Sequence, residues 1–581
     1  MAYHNKKKKK TNDPLMTLKD IVRASGVDRK TLLRYLPTPI ERVKTIRGRK
    51  VTLTYWQKSD VERTLQHPKI RAEIERAAEK QRKNEMVRSL RPVLAAYTPE
   101  NLIQSAGELR RAFVLHIGPT NSGKTHDAIE ALMAAGNGTY LGPLRLLALE
   151  MYDRINANGI PCTLLTGEEH IPQEGAEIIS STIEMCDFKR HFKVAVIDEA
   201  QLITDKDRGA SWLKALCRID AEEIHVCLAP EAEELIEGLI REFGDPYNIV
   251  RHERLTPLVY SGRCNGYKGV QPNDAVICFS RKSVLSTAAQ LEKQGFGCSV
   301  IYGALPPVAR RNEVEKYTSG RSNVIVATDA IGLGISLPIR RIVFAETYKF
   351  DGVERRPLLP SEIRQIAGRA GRYGMFEKGE VLSMDATDLI EKGLNTEPPR
   401  EHALCIAFPR ETLDSAYPVD VLLAAWNTLP PVRAFTREDM HDAAILYSHI
   451  GKTAASADRD LVYDLITCPV DTGCAELIRY WADCARAIIK GRFVPEPSFG
   501  TEDLLGCELQ YKALDIHHQL LTRIGQEDDC AEERDFICRR IKELMAEDKS
   551  EYIRRCSVCG RELPIGWPFT QCRSCRLSFR I

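Results

Sequence analysis

The chain has 581 residues, 43% hydrophobic and 28% charged, with a net charge of +2, enough for about three to five soluble domains with ample buried core. No apolar run reaches the length of a membrane-crossing helix, and no apolar stretch follows the N-terminal lysines, so neither a membrane protein nor a secretory leader is expected. The charge is uneven: residues 1–110 hold 26 Lys and Arg against 12 Asp and Glu, and the remainder 56 against 68, so a basic module suited to a polyanion precedes a mildly acidic body.

In chain order, Lys6 to Lys10 form a pure charge run, read either as a solvated tail or as a phosphate-binding arm. Residues 17–36 (TLKDIVRASGVDRKTLLRYL) predict two short helices. Leu18, Ile21 and Val22 make the apolar face of the first. Gly26 allows the turn, Asp28 caps the second, and Leu32, Leu33 and Leu36 point inward. This pattern resembles a helix-turn-helix of the MerR/excisionase kind, with Arg29, Lys30 and Arg34 on the exposed face that such motifs lay in a nucleic-acid groove. Residues 42–56 follow as a hairpin or wing turning at Arg47 and Gly48. A small packing module that touches no nucleic acid has the same pattern.

Residues 71–110 read as a helical linker broken at Pro92 and Pro99. Strand and helix patterns alternate through 111–255 and again through 256–399. The expected fold is therefore α/β: two tandem RecA-like doubly wound domains. The N-terminal winged helix-turn-helix-like module occupies 1–70, a helical C-terminal domain 400–550, and a small zinc ribbon 551–581.

Three motifs carry the chemistry. After the apolar FVLHI, residues 118–125 (GPTNSGKT) have the strand–loop–helix context of a phosphate-binding loop. Gly118, Asn121, Ser122 and Gly123 form its body, Lys124 is placed for the β- and γ-phosphates, and Thr125 for Mg²⁺. VAVI then ends in Asp198 and Glu199, the first placed to hold Mg²⁺ and the second to polarise the attacking water. Finally, 365–372 (QIAGRAGR) puts Arg369 and Arg372 three residues apart, expected on one helical face and able to reach the γ-phosphate. Gln365, about two turns earlier on a similar face, is placed to position the water.

These motifs resemble superfamily 2 helicases, and more narrowly the ATP-dependent helicases of the mitochondrial RNA degradosome and their bacterial relatives. The narrower likeness rests on GPTNSGKT, YLGPLRLLALE (140–150), TGEE (166–169), VIDEAQ and ATDAIGLGISLPI (327–339), and extends less specifically through 400–545. It implies an ATP hydrolase that moves 3′-to-5′ along one strand and prefers a 3′ overhang, with RNA as substrate and an exoribonuclease as partner. It also implies that Pro143, Leu144, Arg145, Thr166 and Gly167 contact the strand in the first motor domain, and Ser280 and Arg281 in the second. Thr328 and Asp329 would link ATP state to strand grip, in a segment that Gly332 and Gly334 keep compact. Such contacts track a backbone without reading sequence. The N-terminal module and the terminal cysteines depart from the typical family pattern, and Ala200 makes the box DEAQ, where many relatives carry another third residue. A DNA helicase targeted by the N-terminal module, a sequence-specific regulatory DNA-binding ATPase and a translocase without strand separation stay open beside the RNA helicase.

Of 18 cysteines, only Cys556, Cys559, Cys572 and Cys575 have motif spacing, CxxC-x12-CxxC, which suits structural Zn²⁺ with four thiolates; an iron–sulfur cluster or a redox pair are the alternatives. Residues 551–581 carry six arginines against two glutamates, so the ribbon is read as touching nucleic acid or as a purely structural or docking element. The other fourteen cysteines read as reduced core thiols and the compartment as cytosolic. His116, His126 and His225 are expected in ordinary local hydrogen bonds, and Trp212 and Trp481 in the core.

Overall fold

The computed structural model describes residues 14–46, 49–107, 109–332, 337–352, 354–385, 387–432, 434–526, 530–547, 552–553, 555–563 and 569–578. The Lys6 to Lys10 run, the Arg47 and Gly48 turn, and Gly334 lie outside these residues. The chain divides into two compact units, one formed by the N-terminal 97 residues with 411–429, the other by 98–410 with 430–581.

In the first unit, helices Leu18–Ser25 and Arg29–Leu33 are joined by a turn in which Gly26 takes φ +69, a left-handed conformation that favours glycine. Thr17 and Asp20 form a capping box on the first helix, and the Asp28 carboxylate accepts from the Lys30 and Thr31 amides to start the second. Strands Ile40–Ile46 and Arg49–Gln57 pair antiparallel, and Leu15–Thr17 adds a third strand that the apolar pattern does not signal. Ile21, Val27, Leu32, Trp56, Val61 and Ile70 form the core. Leu33 corrects the inward expectation: it is exposed, because the helix is only five residues long and Leu32 alone faces the core. Pro92 does not break the chain either. Helix Pro68–Ala95 runs through it, giving up only the one ladder bond that an N–H at residue 92 would donate to the Arg88 carbonyl. Helix Val419–Asn427 packs on that long helix, with Lys83 paired to Asp420 and Arg91 Nε donating to Thr428 Oγ1. Residues 411–429 thus group with the N-terminal unit, not with the helical domain expected over 400–550.

The second unit holds two RecA-like α/β domains. The first sheet has eight strands in the order Tyr247–Arg251, Ala112–Ile117, Asp220–Leu228, His191–Ile197, Gly138–Gly142, Ile178–Thr182, Cys162–Leu165 and His170–Ile171, all parallel except the last. The second has six parallel strands: Leu258–Arg263, Gly379–Ser383, Arg341–Phe344, Asp274–Ile277, Val324–Ala327 and Cys298–Ile301. Most of the central strands are continuously buried, as parallel strands covered by helices on both faces must be. Helix Glu100–Ala106, inside the expected linker, packs on helices Gly209–Arg218 and Glu233–Phe243 of the first motor domain.

Helices Leu504–Arg523 and Ala531–Ala546 extend the core of the second motor domain, where Cys507, Leu514, Ile537 and Ile541 join Val284, Leu285 and Val300. A short parallel pair, Leu404–Ile406 with Phe435–Arg437, interrupts the helical C-terminal region and packs on Gly209–Arg218. Trp212 and Trp481 are fully buried, their indole N–H groups donating to the Asp198 and Leu465 carbonyls.

Candidate nucleotide site and strand-facing residues

The carboxyl ends of parallel strands are where an α/β sheet binds ligands. Ala112–Ile117 there delivers the loop 118–123, with Asn121 at φ +62 and Gly123 at φ +85. A Cβ on Gly118 would sit 2.6 Å from the His252 carbonyl and 2.7 Å from Ser122 Oγ, so only glycine fits. Ser122 Oγ is buried with no hydrogen-bond partner among the described residues. A buried hydroxyl left unsatisfied beside a glycine cradle at a helix N-terminus fits a phosphate. Buried Lys124 reaches back to the Gly118 carbonyl at 3.3 Å.

Two strands across, His191–Ile197 delivers Asp198 and Glu199. Asp198 Oδ1 accepts from Thr125 Oγ1 at 3.2 Å and Oδ2 from Tyr140 Oη at 3.0 Å, so both expected Mg²⁺ groups lie side by side. Burial, then the neighbouring Glu199 charge, pushes the Asp198 carboxyl up to about 6; a divalent cation there would restore its ionised form. Glu199 has φ +50, unusual for a residue with a side chain and a mark of imposed positioning. Burial opposes its charge, but Lys124, Arg369 and the Gln201 amide outweigh it and hold the carboxyl below its ordinary value.

The third motif corrects one expectation. Helix Pro360–Ala367 ends before the arginines, and Gly371 takes φ +75, so Arg369 and Arg372 lie on a loop and not on one helical face with Gln365. A Cβ on Gly371 would lie 2.5 Å from the Gly379 amide nitrogen, so this turn admits only glycine. The loop abuts the phosphate-binding loop: Asn121 Nδ2 donates to the Gly371 carbonyl at 2.9 Å, and a Cβ on Gly368 would lie 2.8 Å from Thr120 Cβ. Arg369 donates through Nε and Nη2 to the Gly332 carbonyl, joining this loop to the segment begun by Thr328 and Asp329. Arg372 is half-buried, and Gln365 is exposed beside Gly332.

The residues expected at the strand are already engaged. Pro143 is buried. Thr166 Oγ1 accepts from the Glu169 amide at 3.0 Å, with Gly167 inside that turn, and Ser280 caps helix Arg281–Glu292. Leu144 is the residue before helix Arg145–Ala157. Arg145 pairs with Glu168 and, at 3.4 Å, with Asp515, while Arg281 Nη1 pairs with Glu508 at 2.5 Å. Tyr511 Oη donates to Glu168 and Tyr302 Oη to Glu508. Glu508, Tyr511 and Asp515, at i, i+3 and i+7, thus carry one face of helix Leu504–Arg523 to both motor domains. Sequence reading misses this row because its partners are 206 to 370 residues distant. In the N-terminal unit Arg29, Lys30 and Arg34 are exposed.

Gln201 was also missed as a participant. It donates to Glu199 through Nε2 and accepts the Ala229 amide at Oε1, 3.1 Å away. His116 and His225 are both hydrogen-bonded, His225 locally to Glu223, but they also join His252 in one row that spacing does not signal. His116 Nδ1 lies 3.0 Å from His252 Nε2, His116 Nε2 lies 2.8 Å from His225 Nδ1, and His225 Nε2 lies 2.6 Å from Glu223 Oε1. His126 pairs with Arg154 and Glu130.

At the C-terminus the four sulfurs of Cys556, Cys559, Cys572 and Cys575 lie within 4.8 Å of one another, with Cys559 and Cys572 3.7 Å apart. Four thiolates about 2.3 Å from one tetrahedral ion require comparable spacing, so the set fits Zn²⁺. The Cys572 amide donates to Cys556 Sγ and holds that thiol down, to about 6. The knuckle docks on the second motor domain, where Glu562 accepts from Gln290 and Lys293, each at 3.0 Å.

Residues 99–252 match the DEXQ-box helicase domain of Suv3, and 264–374 match the helicase conserved C-terminal domain. The two matches fall one on each α/β domain, and together they are similar to the two halves of a superfamily 2 helicase core. The chain is 42% identical over 302 residues to the rice protein named ATP-dependent RNA helicase SUV3, mitochondrial, covering 51% of this chain and 52% of that one. It is 39% identical over 313 residues to the human ATP-dependent RNA helicase SUPV3L1, mitochondrial (52% and 40%). It is 40% identical over 318 residues to the yeast ATP-dependent RNA helicase SUV3, mitochondrial (52% and 43%). The chain therefore spans about half the length, or less, of the curated relatives it matches. The cytosolic expectation is overturned, because these relatives are named mitochondrial. Reduced thiols distinguish a reducing compartment from an oxidising one and cannot separate cytosol from organelle.

Proposed function

We propose that this protein is an RNA helicase that couples Mg-ATP hydrolysis between its two RecA-like domains to 3′-to-5′ movement on one strand and duplex unwinding. The observation that carries the reading is the direct seating of the arginine loop on the phosphate-binding loop, Gly368 on Thr120 and Gly371 on Asn121, with Arg369 among the charges that hold Glu199 ionised. Lys124, Thr125 and Asp198 would hold Mg-ATP. The bound Mg²⁺ supplies charge neutralisation at the phosphates, Glu199 orients the attacking water, and Arg369 and Arg372 take up the charge of the transition state.

RNA is favoured over DNA by the names of the relatives, all RNA helicases. An exoribonuclease receiving the released strand is a partner class that fits. The exposed Arg29, Lys30 and Arg34 support an accessory polyanion grip in the N-terminal unit, and the cysteine knuckle a structural zinc. The test is ATP-dependent strand displacement on matched RNA, DNA and hybrid duplexes with 3′ or 5′ tails, with Lys124→Ala as control. Displacement of 3′-tailed RNA is the expected result. Preference for DNA would transfer the N-terminal unit to a targeting role, and hydrolysis without displacement would leave a translocase.

A further inference from the structure

Residues 252–257 join the last-ordered strand of the first motor domain, Tyr247–Arg251, to the first strand of the second, Leu258–Arg263. This short connection is stitched to the phosphate-binding loop. The His252 amide donates to the Ile117 carbonyl at 2.8 Å and the Leu255 amide to the Asn121 carbonyl at 3.2 Å. Between them, the Arg254 guanidinium lies between two motifs. Nη1 donates to the Thr120 carbonyl at 2.9 Å and the Gly368 carbonyl at 3.0 Å, Nη2 to the Ala370 carbonyl at 2.5 Å, and Nε to the Thr256 carbonyl at 2.7 Å. One acceptor belongs to the phosphate-binding loop and two to the arginine loop.

We infer that Arg254 is a positioning residue for ATP hydrolysis, fixing the loop that carries Arg369 and Arg372 against the phosphate-binding loop. The assignment rests on the ATPase reading above. All four acceptors are main-chain carbonyls, so the cation is held by backbone geometry alone and serves the two loops at once. A planar fork with donors on three nitrogens can do this; a single ammonium cannot reach both sides. The loop is also tied to the second motor domain, by the Gly371 amide donating to the Ile339 carbonyl at 2.8 Å and by Arg369 on the Gly332 carbonyl. Towards the phosphate-binding loop, the Asn121 side-chain amide adds a bond to the Gly371 carbonyl, and Gly371 is pressed against Gly379 and Thr256, where a Cβ would come within 2.5 and 2.9 Å. Burial without a carboxylate pushes the guanidinium down to about 10, the mark of a cation retained for its hydrogen bonds. With four of five N–H groups engaged, Arg254 acts through the loop and not on the phosphate itself.

The test compares full-length Arg254→Gln and Arg254→Lys with the unaltered protein in RNA-stimulated ATP hydrolysis, and in binding of a fluorescent non-hydrolysable ATP analogue. Expected for both variants is analogue affinity and KM within about threefold and kcat down by about 30-fold or more, since loss of alignment falls on the chemical step. Combining Arg254→Gln with Arg369→Ala should lower kcat no further than Arg369→Ala alone, because both act through one loop. Multiplying losses, unchanged kcat, or loss of analogue binding together with a lower unfolding temperature would each overturn the assignment. An unaltered protein that does not hydrolyse ATP would sink the ATPase reading and this one with it. Hydrolysis that Arg254→Gln leaves intact would sink this one alone.

Discussion

Gln201 holds Glu199 in place: its carboxamide donates to the Glu199 carboxylate and accepts from the Ala229 amide, so one side chain ties the carboxylate to the end of the neighbouring strand. Glu199 needs such a tie because its backbone sits at φ +50, where a residue with a side chain does not rest unaided. Gln201→Ala should leave ATP binding intact and lower RNA-stimulated kcat by about 10²-fold, the scale of a small misplacement of a catalytic group. Steady-state turnover with ATP-analogue affinity measured in parallel checks this. Equal kcat in the two proteins would show that Glu199 is held by its backbone alone.

In the proposed reaction Lys124 supplies charge on the phosphates, Glu199 orients the water and Arg372 supplies charge on the transition state, and none of the three is proposed to touch the strand. Lys124→Ala, Glu199→Gln and Arg372→Ala should each abolish turnover, with about 10³-fold or greater loss for the arginine, while single-strand binding survives. Fluorescence anisotropy on a labelled oligonucleotide, read beside ATP turnover, separates the two. Near-normal hydrolysis in any one variant would remove that residue from the assigned chemistry.

The ATP site was the most legible part of the sequence because each piece is local: an apolar strand, then a glycine loop or a carboxylate pair, within about ten residues. Buried runs such as VAVI in the first sheet and VIVA in the second announced the two sheets for the same reason. What escaped was set by partners far along the chain. The pairing of Arg281 with Glu508, 2.5 Å away but 227 residues along the chain, has no local signature, and Val419–Asn427 reads as part of a helical domain until it is seen packed on Pro68–Ala95. The helical face expected for Arg369 and Arg372 failed locally, because Gly371 turns the backbone to φ +75 where the pattern alone suggests continuation.

Neutral His116 can link its two neighbours into one hydrogen-bonded row, donating from Nε2 to His225 and accepting at Nδ1 from His252, with the row ending on the Glu223 carboxylate. Burial first, then His225 and His252, lower its pKa from 6.5 to about 4. Between these values the unfolded chain binds the proton and the folded chain does not, so this contribution to stability is full above about 6.5 and is lost as the pH falls towards 4. The slope of this loss is at most about 1.4 kcal/mol per pH unit. Hydrogen-exchange protection of strand Ala112–Ile117 should therefore weaken between pH 7.5 and 5.5, and His116→Gln should flatten that slope. An identical slope in the variant would assign the pH dependence elsewhere.

The cysteine knuckle stands apart from the nucleotide site, and its removal should show it. Its sulfurs have the spacing for one tetrahedral ion, while Glu562 tethers it to the motor through Gln290 and Lys293, at the end of helix Arg281–Glu292. Structural zinc contributes folding energy locally, so its loss should unfold the knuckle and leave the two sheets standing. Purified protein should carry about one zinc per chain by atomic emission. A strong chelator or Cys572→Ser should release it, lower the protection of residues 555–563 in hydrogen exchange, and leave basal ATP hydrolysis within about twofold, since no ligand lies in the nucleotide site. Absence of stoichiometric metal would remove the zinc assignment, a visible charge-transfer band with bound iron would replace it with an iron–sulfur cluster, and collapse of basal hydrolysis on zinc release would show that the knuckle braces the second motor domain.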